Sequence, residues 1–104
     1  MNLNEYQRAA ATTAIYPKSS GITYTIVGLC GEAGEIAGKY SKSIRDDIPV
    51  NKDDLTKELG DVLWFVAMLA YEFNISLDEV GTKNIEKLVD RKERNCLSGN
   101  GDNR

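Results

Sequence analysis

The sequence predicts an all-α fold, a bundle of four helices, from three observations. Apolar residues recur every three or four positions along four segments of the chain. Prolines at positions 17 and 49 stand between segments, as helix-ending signals do. The chain has 104 residues, which leaves room for one domain. Because so short a chain leaves much of its surface exposed, we expect helices of a second copy to complete the core.

The first two helices flank a turn at residues 17–21. The first is predicted from Asn4 to Ile15, and the second from Ile22 to about Ser43. The second contains four glycines, each of which weakens a helix by up to about 1 kcal/mol relative to alanine. Glycines at this density indicate that another backbone or a ligand approaches closely.

The third helix follows a loop at residues 45–51. Asp53 or Asp54 is expected to cap it, and it runs to about Phe73. Beyond Asp61 it is apolar on every side, so we expect it to be buried all round.

The fourth helix begins at Ser76 as its N-cap, with Glu79 in the capping-box position, and runs to about Cys96. Residues 1–97 are therefore assigned to a single domain. The tail, residues 98–104, offers no core residue, so we expect it to be flexible or to become ordered over a ligand.

The composition excludes several kinds of site. Without histidine the chain cannot form His–Cys zinc sites or Ser–His and Cys–His nucleophiles, and a metal must be bound through oxygen, which favours Mg²⁺, Mn²⁺ or Ca²⁺. A net charge of −3 argues against general nucleic-acid binding. The N-terminus does not resemble a signal peptide, and the longest apolar run, Val62–Tyr71, is too short to cross a bilayer. We therefore expect a cytoplasmic protein without a membrane partner.

Two pairs of acids carry the strongest functional signal. Glu32 and Glu35 are three residues apart, as are Glu58 and Asp61, so the members of each pair point the same way from a helix. Carboxylates from two antiparallel helices would form an oxygen-rich, negative cavity that suits Mg²⁺ and the phosphates it carries. The alternative is that these acids lie on the helix surface near helix N-termini, where the macrodipole favours them.

Spacing alone does not choose between these interpretations, because the 16 acids of the chain form a third such pair, Asp90 and Glu93. That pair stands among basic residues, as on a solvated face. Glu58 and Asp61 instead lie on the helix expected to be buried, where carboxylates are costly without a cation. Context therefore favours a metal site at the first two pairs.

These motifs resemble the MazG-like family of all-α nucleotide pyrophosphohydrolases. The ExxE and ExxD pairs lie within GLCGEAGEIAGK and KELGDVLWF, and the similarity extends through YPKSSGITYTIVGL before them and NIEKLVDRKER after them. It covers nearly the whole chain except the loop at 45–52. Many relatives have a further acid directly before the first ExxE, where this chain has Gly31.

The resemblance implies Mg²⁺-dependent cleavage of nucleoside triphosphates, deoxynucleoside triphosphates above all, into a monophosphate and pyrophosphate, with Mn²⁺ as a possible substitute. It implies that Glu32, Glu35, Glu58 and Asp61 hold the metal and that Glu35 or Glu32 takes a proton from the attacking water. Relatives are dimers or tetramers, so we expect a homodimer or homotetramer.

Substrate contacts are expected from the fourth helix and from aromatic residues. Lys83, Lys87, Arg91 and Arg94 recur at nearly i, i+4 steps, a set we name the basic stripe. The alternative is a solvated face with helical ion pairs. The resemblance implies phosphate and sugar contacts from Lys83, Asn84, Lys87 and Arg91, with Arg94 as a further candidate. Aromatic residues that could contact the base are Phe65, one turn beyond Asp61, and Tyr16, beside Pro17.

Two rival functions remain open at this stage. One is a non-catalytic helical interaction module whose acids are only surface charge. The other is a dedicated dUTP or dCTP hydrolase, because base selection depends on a pocket shape that the sequence does not display.

Overall fold

The computed structural model describes all 104 residues and contains four α-helices and no strand, which confirms the predicted fold class. The helices are α1 (Leu3–Ala11), α2 (Gly21–Asp46), α3 (Lys52–Glu72) and α4 (Leu77–Glu93). A short 3-10 helix, Lys18–Ser20, leads into α2. None of the helices combines the length and the apolar character needed to span a membrane.

The first helix ends earlier than its sequence pattern predicts. Its last residue is Ala11, not Ile15. The hydroxyls of Thr12 and Thr13 donate to the carbonyls of Ala9 and Ala10, so these side chains compete with the next helical turn.

The second helix continues through its glycines without a break and ends at Asp46. Its C-cap, Asp47, has a left-handed backbone with φ of 51°, as many helix ends do.

One of the two predicted N-caps is wrong. Asn51, not Asp53 or Asp54, caps α3, because its side-chain oxygen accepts from the backbone N–H groups of both aspartates. The aspartates instead lie in the first turn, where the helix macrodipole favours negative charge. Ser76 caps α4 as predicted, with its hydroxyl accepting from the backbone N–H of Glu79 at 3.1 Å.

The helices pack around the antiparallel pair of α2 and α3, which a five-residue loop joins. Helix α1 packs against α3 and α4, whereas α4 does not pack against α2. The buried apolar core of the chain is small and lies where α1, α3 and the start of α4 meet: Ala10, Ala67, Met68 and Leu77.

Helix α3 is not buried all round within one chain, contrary to the expectation from its apolar composition. Leu59 and Tyr71 remain 52% and 53% exposed, because the neighbouring helices cover only part of the circumference of α3. Other helices also expose large apolar side chains, among them Val27, Ile44 and Ile85. Apolar surface of this extent is typical of association, and the homodimer or homotetramer stays a prediction.

One polar side chain fixes α1 to the turn between α3 and α4. Gln7 is buried, and its amide nitrogen donates to the carbonyls of Ala67 and Ile75, both at 3.0 Å. Its amide oxygen accepts from the backbone N–H of Leu77 at 2.9 Å. The carbonyl of Ile75 and the N–H of Leu77 lie outside the hydrogen-bond ladders of α3 and α4, so the side chain satisfies two backbone groups that the helices leave without a partner.

We predict that Gln7→Leu destabilises the fold by about 2 kcal/mol or more, because it leaves buried backbone groups without partners while it keeps the side-chain volume. Urea unfolding measures the change, and the exposed neighbour Arg8, changed to Ala, is the control. A loss no larger than that of the control would show that water replaces the amide.

Candidate metal centre

Three of the four predicted metal ligands meet in the groove between α2 and α3. Carboxylate oxygens of Glu32, Glu58 and Asp61 lie within 4.8 Å of one another. Glu58 and Asp61 are one turn apart on α3, and Glu32 faces them from α2. Glu32 and Glu58 are half-buried, whereas Asp61 is exposed. We call these three residues the acid cluster.

Glu35 lies outside the acid cluster. It occupies the next turn of α2, is exposed, and has no oxygen within the 4.8 Å set. Its charge is nevertheless close enough to act on Glu32. The structure therefore separates Glu35 in position from the other three predicted ligands.

The acid cluster carries more negative charge than its neighbours balance. Burial raises the pKa of Glu32, and the charges of Asp61, Glu58 and Glu35 raise it further. Lys39 is the one cation paired with the cluster, its ammonium 3.6 Å from a carboxylate oxygen of Glu58. Oxygen donors with excess negative charge are the ligands that Mg²⁺ and Mn²⁺ prefer, so the residues present fit such an ion.

Two residues outside the predicted ligand set, Lys39 and Tyr6, lie near the acids. Lys39 lies four residues after Glu35 and seven after Glu32, a spacing that puts it on the same face of α2 and was readable from the sequence. Tyr6 of α1 lies near Asp61: burial raises its pKa, and the charge of Asp61 adds to the rise. No helical spacing connects α1 with α3, so Tyr6 could not be found in advance.

Of the glycines of α2 in this part of the groove, only Gly28 is in close contact with α3. A Cβ at Gly28 would clash with the ring of Phe65, so this position must stay bare for that ring to pack as it does. Gly31 and Gly34, two of the four glycines that predicted close approach of another backbone or a ligand, do not admit α3, since a Cβ on either would meet nothing within 4 Å. Both glycines face open space.

Four aromatic rings form a cluster one turn from the acids. Tyr16 stacks on Tyr24 with ring centroids 4.9 Å apart, and Trp64 meets Phe65 edge to face at 5.0 Å. An edge contact between Tyr16 and Trp64 and a tilted contact between Tyr24 and Phe65 complete the set, which we call the aromatic cluster. Tyr16 and Phe65, both predicted to contact the base, are thus brought together.

Hydrogen bonds fix two of these rings. The hydroxyl of Tyr16 donates to a carboxylate oxygen of Glu72 at 2.6 Å, and burial together with this bond raises the pKa of Tyr16. The indole N–H of Trp64 donates to the hydroxyl of Thr13 at 2.9 Å. The aromatic cluster is therefore preorganised.

The basic stripe is paired with residues of α4 and of the tail. Lys83 pairs with Glu79 at 3.2 Å, and Arg94 with Asp90 at 2.8 Å. Lys87 and the buried Arg91 both bind the carboxylate of Asp102, at 3.0 and 3.4 Å. The remaining predicted contact, Asn84, is exposed.

Within one chain the stripe and the acid cluster are not brought together, because α4 does not pack against α2 and no ion pair joins the two sets. The tail lies against α4 through Asp102, and its last residue, Arg104, accepts at its carbonyl from the guanidinium of the C-cap Arg94 at 2.6 Å. The substrate contacts assigned to the stripe stay a prediction.

The raised pKa of Glu32 makes the stability of the metal-free protein depend on pH. The folded chain holds this proton more tightly than the unfolded chain, so the contribution of Glu32 to stability is lost as pH rises through its folded-state pKa. We predict that Glu32→Gln raises the melting temperature in EDTA at neutral pH but not at acidic pH. The exposed Glu86, changed to Gln, is the control. Equal shifts of both variants at both pH values would contradict the prediction.

Comparison with known proteins matches residues 21–96 to the MazG nucleotide pyrophosphohydrolase domain. The chain is also 46% identical over 114 residues to the Gene 37 protein of Mycobacterium phage L5, with all of both chains covered. No solved structure matches it. The matched residues include α2 and α3, which carry the acid cluster, and the whole of α4. This chain belongs to the family of MazG nucleotide pyrophosphohydrolase domains.

Proposed function

We propose that this protein is a Mg²⁺-dependent hydrolase that cleaves nucleoside triphosphates, deoxynucleoside triphosphates above all, to a monophosphate and pyrophosphate. The observation that carries the proposal is the acid cluster, with oxygens within 4.8 Å of one another in the groove of a MazG domain. A non-catalytic module would gain nothing from placing three acids where burial and mutual repulsion raise the pKa of one of them.

Glu32, Glu58 and Asp61 would hold the divalent ion. The cluster offers carboxylate oxygens alone, which suits Mg²⁺ and lets Mn²⁺ substitute. Bound there, the ion would offset charge on phosphate oxygens and lower the pKa of water. Glu35 was predicted as a fourth ligand, and its place one turn along α2 lets it serve the cluster or the attacking water.

We assign the proton transfer to Glu35 in preference to Glu32. Glu32 is committed to the acid cluster, whereas Glu35 is exposed and outside it. A carboxylate oxygen of Glu35 takes a proton from water as that water attacks the α-phosphorus. The bond between the α-phosphorus and the bridging oxygen breaks, and its electron pair leaves with pyrophosphate.

The aromatic cluster supports the base side of the substrate. Phe65 lies one turn beyond Asp61, and Tyr16 approaches from the segment before α2. A nucleobase can stack on rings held in this way at a low cost in side-chain entropy. Which base is accepted decides between a broad enzyme and a dedicated dUTP or dCTP hydrolase, and a panel of triphosphates with pyrophosphate detection tests this.

Charge removal tests the metal assignment. Glu58→Gln and Asp61→Asn keep the side-chain shape but delete an anionic ligand, so we expect turnover to fall by at least about 100-fold. The fold should survive and gain stability in EDTA, because repulsion among the carboxylates is relieved. Glu93→Gln, from the third acid pair on α4, is the matched control. Turnover at the wild-type rate in either groove variant would refute the assignment.

Isotope labelling tests the bond that breaks. With water attacking the α-phosphorus, hydrolysis in ¹⁸O-water places the label in the nucleoside monophosphate, and pyrophosphate is released unlabelled and intact. Mass spectrometry of the two products reads the outcome. Label in the pyrophosphate would mean attack at the β-phosphorus, and the placement of Glu32 and Glu35 beside the α-phosphate would be wrong.

A further inference from the structure

The groove between α2 and α3 continues beyond the acid cluster into a cavity of about 330 Å³ at the loop end of the two helices. Its lining includes Lys39, Lys42 and Ser43 from α2, and Asn51 and Asp54 at the start of α3. The sequence motifs discussed above assign no role to this cavity.

Helical register places the cavity in line with the acid cluster. Lys39 follows Glu32 by seven residues, so both lie on one face of α2, about 10 Å apart along its axis. On α3, Asp54 precedes Glu58 by four residues and lies one turn nearer the loop on the same face. The ammonium of Lys39 reaches back to within 3.6 Å of Glu58, so this residue borders both the cluster and the cavity.

The other end of the same groove is aromatic. Gly28 precedes Glu32 by one turn on α2, and Phe65 follows Asp61 by one turn on α3, with the ring of Phe65 packed over Gly28. From one end to the other the groove therefore presents aromatic rings, then carboxylates, then lysines. A nucleoside triphosphate has the matching linear order of base, α-phosphate and terminal phosphates.

Charge in the cavity also favours an anion at Lys42. Lys42 makes no ion pair, and the nearby Asp46 is bound through both carboxylate oxygens by Arg45 at 2.8 Å. A divalent ion at Glu58 would in turn release Lys39 from that carboxylate. Two ammonium groups would then face the cavity against one carboxylate without an ion pair, that of Asp54, so positive charge exceeds negative by one. Ammonium groups are common phosphate ligands.

We propose that Lys39 and Lys42 bind the pyrophosphate end of the substrate, which orients the nucleotide along the groove with its base in the aromatic cluster. This proposal rests on the proposed function and assigns two substrate-binding residues that the sequence motifs do not. It also supplies cations from α2 itself, whereas the basic stripe is paired on α4 and in the tail.

Measuring the affinity for pyrophosphate tests the proposal directly. Calorimetric titration of Mg²⁺-loaded protein with pyrophosphate is expected to show at least about 10-fold weaker binding for Lys42→Gln, with nucleoside monophosphate binding unchanged. Lys57→Gln, an exposed lysine of α3 outside the cavity, is the matched control and should bind both as the wild type does. Lys39→Gln should weaken pyrophosphate in the same way, and Mg²⁺ titration without nucleotide separates any effect of freeing Glu58.

Because pyrophosphate binding needs no turnover, the test stands apart from the proposed function. If the protein hydrolyses no triphosphate but Lys42→Gln still loses pyrophosphate, the cavity assignment holds and the enzyme assignment fails. Wild-type pyrophosphate affinity in both Lys39→Gln and Lys42→Gln overturns the proposal. So does a loss found only in Lys87→Ala and Arg91→Ala, which would give the terminal phosphates to the basic stripe.

Discussion

The contact between α2 and α3 has to hold three carboxylates together against their own repulsion. Glu32, Glu58 and Asp61 have one nearby ammonium, that of Lys39, to balance them. Burial raises the pKa of Glu32, and the repulsion of the neighbouring carboxylates raises it further. The structure offsets the cost of this burial and repulsion next to the acids, where Phe65 packs over the bare backbone of Gly28. Uncompensated negative charge therefore remains at the site, and a divalent cation would balance it.

The rest of the chain acts mainly as support for this helix pair. Gln7 ties α1 to the end of α3 and the start of α4, and the small core lies at that same junction. The acids lie toward the opposite end of α3, near the loop, where little of the single chain covers the groove. The buried junction stabilises one end of the domain. The groove at the other end is left accessible to a charged ligand.

The sequence predicted the helices and the residues of the site more accurately than it predicted how those residues are arranged relative to one another. Spacing along one helix predicts a shared face, which is why Glu58 and Asp61 were found together. Spacing says nothing about how one helix is rotated against another, so the position of Glu35 outside the acid cluster and the open space at Gly31 had to come from coordinates. The cap at Asn51 was missed because three polar residues close together can each cap a helix.

The chain contains a single tryptophan, and its position has a practical consequence. Trp64 lies against Phe65 and Tyr16, and Thr13 accepts a hydrogen bond from its indole N–H. Its intrinsic fluorescence therefore reports on one location, the aromatic end of the groove. Emission from this indole offers a label-free optical signal for events in the groove, free of overlap from other tryptophans.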